Sequence, residues 1–299
     1  MTIGPRGLGS AGSPARVRTM APALPRTPVL SRAPSRALAL ALASVLAVVA
    51  CGPSSPSDAA SPVISAFVAA SLRDVMAAAG PAYADATGVR IETSADASTA
   101  LRVQIEQGAE ADVFLSADTV NPDALVAGGL VVGRVVPFAG NELAIVVPKA
   151  NPGAVRSALD LGRRGLKIVA AGDAVPISGY AETLVHNLAG QTPDPAGFIA
   201  AYAANIVSRE DNVKAVATKI ALGEGDAAIV YATDAVADPS LVVIPIPDGS
   251  NVLATYAGVV PTTSRAPSLG RAFLDWLAGA PGQAILARFG FVPVLPGPS

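Results

Sequence analysis

Cysteine and histidine are almost absent from this chain of 299 residues, which has one residue of each. A single cysteine, Cys51, excludes an internal disulfide, a cysteine-based metal site and a redox pair of thiols. A single histidine, His186, excludes a histidine cluster for zinc, and any Ser-His-Asp triad would have to use it. The sequence also contains no G-x-S-x-G elbow and no phosphate loop ending in Gly-Lys-Ser/Thr. These absences argue against enzymatic function.

Acidic residues are missing from the first fifty positions, where six arginines precede an apolar run at residues 37–50. This profile is typical of a secretory signal. The run has 14 residues, fewer than the about 20 that cross a bilayer, and Cys51 follows it directly. Small residues before a cysteine predict cleavage by signal peptidase II and lipid attachment to Cys51. We therefore expect a signal peptide at residues 1–50, a tether at residues 51–62, and a lipoprotein anchored at the outer face of the cell membrane.

Positive charge is scarce in the mature chain. Six of the 21 basic residues lie in the predicted signal, which leaves 15 against 23 acidic residues and a net charge of −8. Proteins that bind nucleic acid normally carry the opposite sign. An anionic ligand would not be attracted by this overall field, so its capture would depend on local dipoles.

From residue 63 onward, short apolar runs alternate with segments of helical period, which predicts an α/β fold with mainly parallel strands. Strands are expected at residues 63–68, 89–93, 112–115, 142–147, 167–170, 227–231, 241–246 and 253–260. Helices with an apolar stripe are expected after Ser71, after Ser178, from Val213 and from Leu269. No internal repeat and no second membrane span is visible in the sequence.

Small residues and hydroxyls gather where several predicted strands lead into helices, at residues 69–71, 95–99, 175–179 and 211–213. In α/β sheets such junctions lie at the ends of strands where ligands bind. The first turn of a helix leaves N–H groups unpaired and carries a partial positive charge, so several such ends aimed at one point form an anion site. For any single junction, ordinary helix capping is the better explanation.

Several of these segments, taken in order, resemble periplasmic molybdate-binding proteins. The matching stretches are Val68-Ala69-Ala70-Ser71-Leu72, Ser98-Thr99, residues 104–114, Ser116-Ala117-Asp118, and residues 141–149, 175–181, 212–213, 229–235 and 289–291. They span nearly all of the mature chain. A series of this length is more specific than any one motif.

The resemblance implies a two-lobed α/β fold of the type II periplasmic-binding-protein class. One lobe would comprise residues 63–140 and 243–299, the other residues 141–242, with hinge crossings near Asn141 and Val243. It also implies that an oxyanion is held by the hydroxyls of Ser71, Ser98 and Tyr231 and by the backbone N–H groups of Ile177 and Val213, with no residue ligating the metal directly. This chain has Pro176-Ile177-Ser178 where the family often has Pro-Ala-Gly.

The implied ligand is molybdate or tungstate, with no cofactor, and the implied partners are an ABC permease and its ATPase. The protein itself is expected to act as a monomer. In this scheme no formal charge holds the ligand, so His186 and Lys214 are expected to contribute little. A receptor for another tetrahedral oxyanion, such as sulfate or phosphate, is one alternative. A secreted serine hydrolase using Ser71 or Ser98 is a more distant one.

Overall fold

A computed structural model of the protein describes residues 61–294. The predicted signal peptide, Cys51 and nearly all of the predicted tether lie outside the described residues. The strands are β1 Val63–Ala69, β2 Arg90–Asp96, β3 Val113–Ser116, β4 Val131–Pro148, β5 Ile168–Ala171, β6 Ile206–Glu210, β7 Ala228–Tyr231, β8 Leu241–Ile244 and β9 Leu253–Pro261. The helices are α1 Arg73–Thr87, α2 Ser98–Glu106, α3 Val120–Ala127, α4 Pro176–Ala189, α5 Pro195–Asn205, α6 Val213–Ala221, α7 Ala232–Ala237, α8 Pro267–Ala278 and α9 Ala280–Arg288. No helix within residues 61–294 is long and apolar enough to cross a membrane.

The long strand β4 belongs to two lobes. Up to Glu142 it pairs with β9, and from Leu143 onward it pairs with β7 on one side and with β8 on the other. The first lobe thus has the strand order β2-β1-β3-β9-β4. In the second lobe, β8, the end of β4 and β7 adjoin the parallel pair β5–β6 through a bridge between Ile168 and Ala227. The predicted two-lobed α/β architecture is confirmed.

Both faces of the first lobe's sheet are covered, because alternate residues of a strand point to opposite faces. Ile64, Ala66 and Val68 of β1 join the main core, which also contains the apolar stripe of α1. Phe67, on the other face, joins a smaller core with residues of α2 and α3 such as Leu101 and Leu125. This layering fixes the start of α2 relative to the end of β1, where two of the predicted site residues lie.

The expectation of mainly parallel strands was wrong. Only β1–β2, β1–β3 and β5–β6 run parallel among the paired strands of residues 61–294, whereas β3–β9, β4–β7, β4–β8 and β4–β9 are antiparallel. The cause is the double crossing between lobes. The chain leaves the first lobe along β4 and returns along β9, so these two strands lie side by side in opposite directions.

The second crossing lies between the end of β8 and the start of β9. Val243 pairs with Val146 of the second lobe, so the crossing begins just beyond the residue at which the sequence places it. Asn251 fixes this segment, since its side chain accepts a hydrogen bond from Leu143 N at 3.2 Å and donates one to Leu143 O at 3.0 Å. The side chain thereby takes the place of a strand neighbour beside β4.

Candidate functional site

A small cavity lies between the lobes, where several strands lead into helices. Residues of both lobes line it: Ala69, Ala70, Ser71, Ala97, Ser98, Ala117, Val175, Pro176, Ile177, Asn212, Val213 and Tyr231. All five residues expected to bind the oxyanion are in this set. The cavity encloses about 10 Å³, far below the roughly 300–1,000 Å³ of pockets for organic ligands. So small a space excludes an organic ligand of ordinary size.

Ser71 and Ser98 enter the cavity from the first lobe. Ser71 lies in a single helical turn between β1 and α1, and Ser98 is the first residue of α2. Neither hydroxyl caps its helix, so the capping explanation does not account for them. Ser98 Oγ accepts a hydrogen bond from Ala117 N at 3.0 Å, which leaves the Ser98 O–H as a donor.

Two helix starts of the second lobe face the same cavity. Pro176 is the first residue of α4 and has no N–H, so Ile177 carries the first backbone donor of that helix. Val213 is the first residue of α6, after the N-cap Asn212, whose side chain accepts from Ala215 N at 3.1 Å. The first N–H groups of a helix have no partner within the helix and lie at its positive end. Both positions therefore favour an anion.

Tyr231 ends β7 and is 1% exposed. Its hydroxyl is buried and has no hydrogen-bond partner among the described residues. An unpaired buried hydroxyl costs roughly 1–3 kcal/mol, so a group in the cavity that accepts a hydrogen bond from Tyr231 would relieve this cost. Burial raises the pKa of the Tyr231 phenol well above its ordinary value, so the hydroxyl keeps its proton and acts as a neutral donor.

No Lys, Arg, Asp or Glu lines the cavity among residues 61–294. In the sequence, Asp96, Asp118, Asp211 and Lys214 each adjoin a residue of the cavity wall. Lys214 belongs to an ion cluster beside Val213. Lys214 Nζ lies 2.5 Å from Asp74 Oδ2 of the first lobe and 3.0 Å from Asp234 Oδ1 of the second. Burial raises the pKa of Asp234 to about 6, against the attraction of Lys214. This cluster ties the lobes together but is not part of the cavity wall.

Two further polar contacts join the lobes around the cavity. Thr99 Oγ1 donates to Ala174 O at 2.6 Å, and Asn212 Nδ2 donates to Asp96 Oδ1 at 3.4 Å. Together with the pair of Lys214 and Asp74, they hold the two lobes in contact. The structure is therefore a closed arrangement, in which a ligand would contact donors from both lobes at once.

The sequence missed three residues that matter to the geometry. Lys214 was expected to contribute little to ligand binding, which stays a prediction, but its role in bridging the lobes was not foreseen, because Asp74, 140 positions away, lies opposite it. Tyr256 of β9 and Asn141 of β4 are fully buried polar residues behind Ser71. Tyr256 was given no role, and Asn141 was expected only at a hinge crossing. A polar residue inside an otherwise apolar strand was the available signal for Tyr256. Nothing local indicates its partner.

Other conspicuous side chains lie away from the cavity. His186 is exposed, and its Nδ1 is 2.8 Å from Glu182 O within the same helix. Ser178, which belongs to the same junction as Ile177, donates to Ala171 O at 3.2 Å and to Gly172 O at 2.8 Å. Its hydroxyl is committed to the backbone.

Comparisons with known proteins agree with this geometry. A family model described as bacterial extracellular solute-binding protein matches residues 64–292. The molybdate-binding protein ModA of Mycobacterium tuberculosis H37Rv is 34% identical over 255 residues, which cover 83% of this chain and 93% of that protein.

Two solved structures are similar in fold. The periplasmic molybdate-binding protein of Azotobacter vinelandii matches with a TM-score of 0.65 and 20% identity, over 78% of this chain and 100% of that one. The sulfate-binding protein SubI of Mycobacterium tuberculosis H37Rv matches with a TM-score of 0.67 and 22% identity, over 79% of this chain and 88% of that one. At these identities the similarity supports a shared two-lobed fold and nothing more.

Proposed function

This chain belongs to the family of bacterial extracellular solute-binding proteins, and from that premise we propose that it captures molybdate and delivers it to an ABC importer. Proteins of this family bind solutes and are not enzymes. Ser71 and Ser98 of one lobe and Ile177, Val213 and Tyr231 of the other would donate hydrogen bonds to the four oxygens. Tungstate, which has the same shape and charge, would bind in the same way.

The unpaired hydroxyl of Tyr231 carries the proposal. It is a buried donor in the wall of a cavity that no charged side chain lines among the described residues, and it lies with two helix starts, whose first N–H groups have no partner within the helix. A tetrahedral oxyanion supplies acceptors in several directions at once. Each hydrogen bond from a neutral donor to a charged acceptor contributes roughly 1.5–3 kcal/mol, so a few such bonds are enough for tight binding without a formal positive charge.

The choice among oxyanions follows from the donors. Phosphate near neutral pH carries a proton that needs an acceptor, which a site made of donors does not offer. Sulfate has no proton but is smaller than molybdate, so donors spaced for molybdate would be too far from its oxygens. The 34% identical ModA is named for molybdate, which supports the same choice. The similarity in fold to SubI keeps sulfate as the second candidate.

Calorimetric titration of the purified protein with molybdate, tungstate, sulfate and phosphate tests the proposal. We expect one molybdate or tungstate per chain and weak binding of the other two anions. Because a ligand that binds only the folded state stabilises it by mass action, molybdate at about 100 times its Kd should add roughly 2.7 kcal/mol to stability and raise the Tm. Equal binding of sulfate would refute the assignment to molybdate.

The placement of the protein is also a proposal. We infer that Cys51 carries a lipid that tethers the two-lobed protein to the outer face of the membrane. There an open form would bind the anion, and the closed form would dock on the permease. The tether anchors the protein, whereas the two lobes bind the anion, so the two functions are independent. Cys51→Ser should therefore move the protein from the membrane fraction to the soluble fraction and leave its Kd for molybdate unchanged. A soluble variant that no longer binds molybdate would contradict this separation.

A further inference from the structure

Ser71 has a buried hydrogen-bond partner outside the cavity. Its Oγ lies 2.8 Å from the hydroxyl oxygen of Tyr256, a residue of β9 that is 0% exposed. Distance alone leaves the donor of this bond open, because either hydroxyl can give its proton. The direction of this hydrogen bond matters for binding, since a serine that donates its proton to Tyr256 cannot donate it to an anion.

Asn141 decides the direction. Its Nδ2 lies 3.3 Å from the Tyr256 oxygen and 2.9 Å from Thr233 Oγ1. An amide nitrogen only donates, so the Tyr256 oxygen accepts from Asn141, and among the described residues Ser71 Oγ is then the acceptor within hydrogen-bond distance of the Tyr256 proton. In the opposite orientation of the Asn141 amide, Nδ2 and Oδ1 would exchange places, and both hydrogens of Nδ2 would be buried away from the oxygens of Thr233 and Tyr256. In the present orientation only Oδ1 is unpaired. The present orientation is therefore the cheaper one.

We propose that Tyr256, held by Asn141, is a positioning residue that directs the proton of Ser71 towards the bound anion. Tyr256 occupies an acceptor site of Ser71, so the serine's proton points into the cavity. This inference rests on the proposed function, because it specifies how the anion site obtains one of its donors. Burial raises the pKa of the Tyr256 phenol well above its ordinary value, which keeps the required proton on the phenol at neutral pH.

The same arrangement contributes to selectivity. Ser98 Oγ already accepts from Ala117 N, just as Ser71 Oγ accepts from Tyr256. Both serine hydroxyls thus face the cavity as donors with one of their two acceptor sites already occupied, so a protonated anion such as hydrogen phosphate finds fewer serine acceptors for its proton. Tyr256 would therefore set the preference for fully deprotonated anions although it does not touch the ligand.

A double-mutant cycle between Tyr256→Phe and Ser71→Ala tests this, with Kd values for molybdate and for inorganic phosphate measured by calorimetry. Tyr256→Phe should weaken molybdate binding about tenfold, as expected for losing one oriented hydrogen bond to a charged acceptor. It should also reduce the ratio of the phosphate Kd to the molybdate Kd, because Ser71 regains an acceptor site. In the Ser71→Ala background, Tyr256→Phe should change the molybdate Kd by less than about twofold, since residues in one network are not additive.

Controls separate positioning from folding. Tyr83, a buried tyrosine of the same lobe that is 2% exposed and packs against Phe273, lies outside the cavity, so Tyr83→Phe should leave both Kd values unchanged. If Tyr256→Phe does not fold, Asn141→Ala is the alternative variant. It keeps the Tyr256 phenol but removes the amide that donates to the phenol oxygen and so orients its proton. That variant should weaken molybdate binding several-fold in the wild-type background and not in Ser71→Ala.

The outcomes distinguish this inference from the proposed function. A wild-type protein that does not bind molybdate refutes the function itself. The positioning role alone is refuted if the wild type binds molybdate but Tyr256→Phe changes the molybdate Kd equally with and without the Ser71 hydroxyl. The same conclusion holds if Asn141→Ala, measured in place of an unfolded Tyr256→Phe, has equal effects in both backgrounds.

Discussion

Replacing Ser98 with alanine should weaken molybdate binding roughly 10- to 100-fold. The Ser98 hydroxyl accepts from Ala117 N at 3.0 Å, and its proton is left to donate into the cavity. Hydrogen bonds to charged groups contribute about 1.5–3 kcal/mol, and every 1.4 kcal/mol changes a Kd about tenfold. Ala117 N, which is buried, also loses its acceptor in the variant. That second loss is present with and without ligand, so it should lower the Tm by a few degrees without further change in Kd.

Ser178→Ala is the matched control for this change. Ser178 also lies in the first turn of a helix near the cavity, but its hydroxyl donates to the carbonyls of Ala171 and Gly172. Its removal should cost about 1 kcal/mol of stability, as for an ordinary hydrogen bond, and leave the Kd within about twofold of wild type. The two variants therefore lose similar amounts of stability and differ in affinity.

Calorimetry with molybdate at low and high salt gives both the Kd values and the contribution of formal charge. With neutral donors, the wild-type affinity should change little between the two salt concentrations, because screening acts mainly on charge pairs. The reasoning would be refuted if Ser98→Ala bound like wild type, or if Ser178→Ala lost as much affinity. A steep fall of wild-type affinity with salt would show that formal charge holds the ligand instead.

Two other predictions follow from the buried groups around the cavity. Tyr231→Phe should weaken molybdate binding about tenfold without lowering the Tm of the ligand-free protein, because the hydroxyl it removes has no partner in the described chain; a lower ligand-free Tm would show that the phenol has a structural role. Lys214→Met should lower stability by on the order of 3 kcal/mol, since it leaves the fully buried Asp234 without its cation. Asp74→Asn, which removes only the half-exposed partner in the other lobe, should lower the free energy of unfolding by less than about 1 kcal/mol, measured by thermal unfolding. Equal losses of stability in Lys214→Met and Asp74→Asn would contradict the larger role given to the pair with Asp234.

The sequence by itself determined the local structure that supplies the donors. The apolar stripes predicted the helices that begin near Ser71, Ile177 and Val213, and the small residues and hydroxyls at residues 95–99 predicted a strand-to-helix junction at Ser98. The structure brings all these residues, with Tyr231, to one cavity. Such features depend on residues three or four positions apart or on a single strand end, so they can be read along the chain. Their role as ligands to an oxyanion stays a prediction.

The sequence signal failed where a segment is short, half-exposed or broken by proline and glycine. Strand β6 was missed because alternate positions of its five residues are only half-buried. The first part of β4 was missed because Gly133, Pro137 and Gly140 interrupt it. These segments become strands through pairing with partners that are distant in sequence, with β9 accommodating register shifts along β4.

Only the tertiary structure decided which polar groups meet behind and across the cavity. Ser71 and Tyr256 are 185 positions apart, and Lys214 and Asp74 are 140 positions apart. No periodicity relates such residues, since their contact depends on the double crossing of the chain between lobes. The same crossing places β4 and β9 side by side and puts Asn141 next to Tyr256. The positions of the proposed donors along the chain therefore follow from local rules, whereas the contacts behind them follow from how the two lobes are joined.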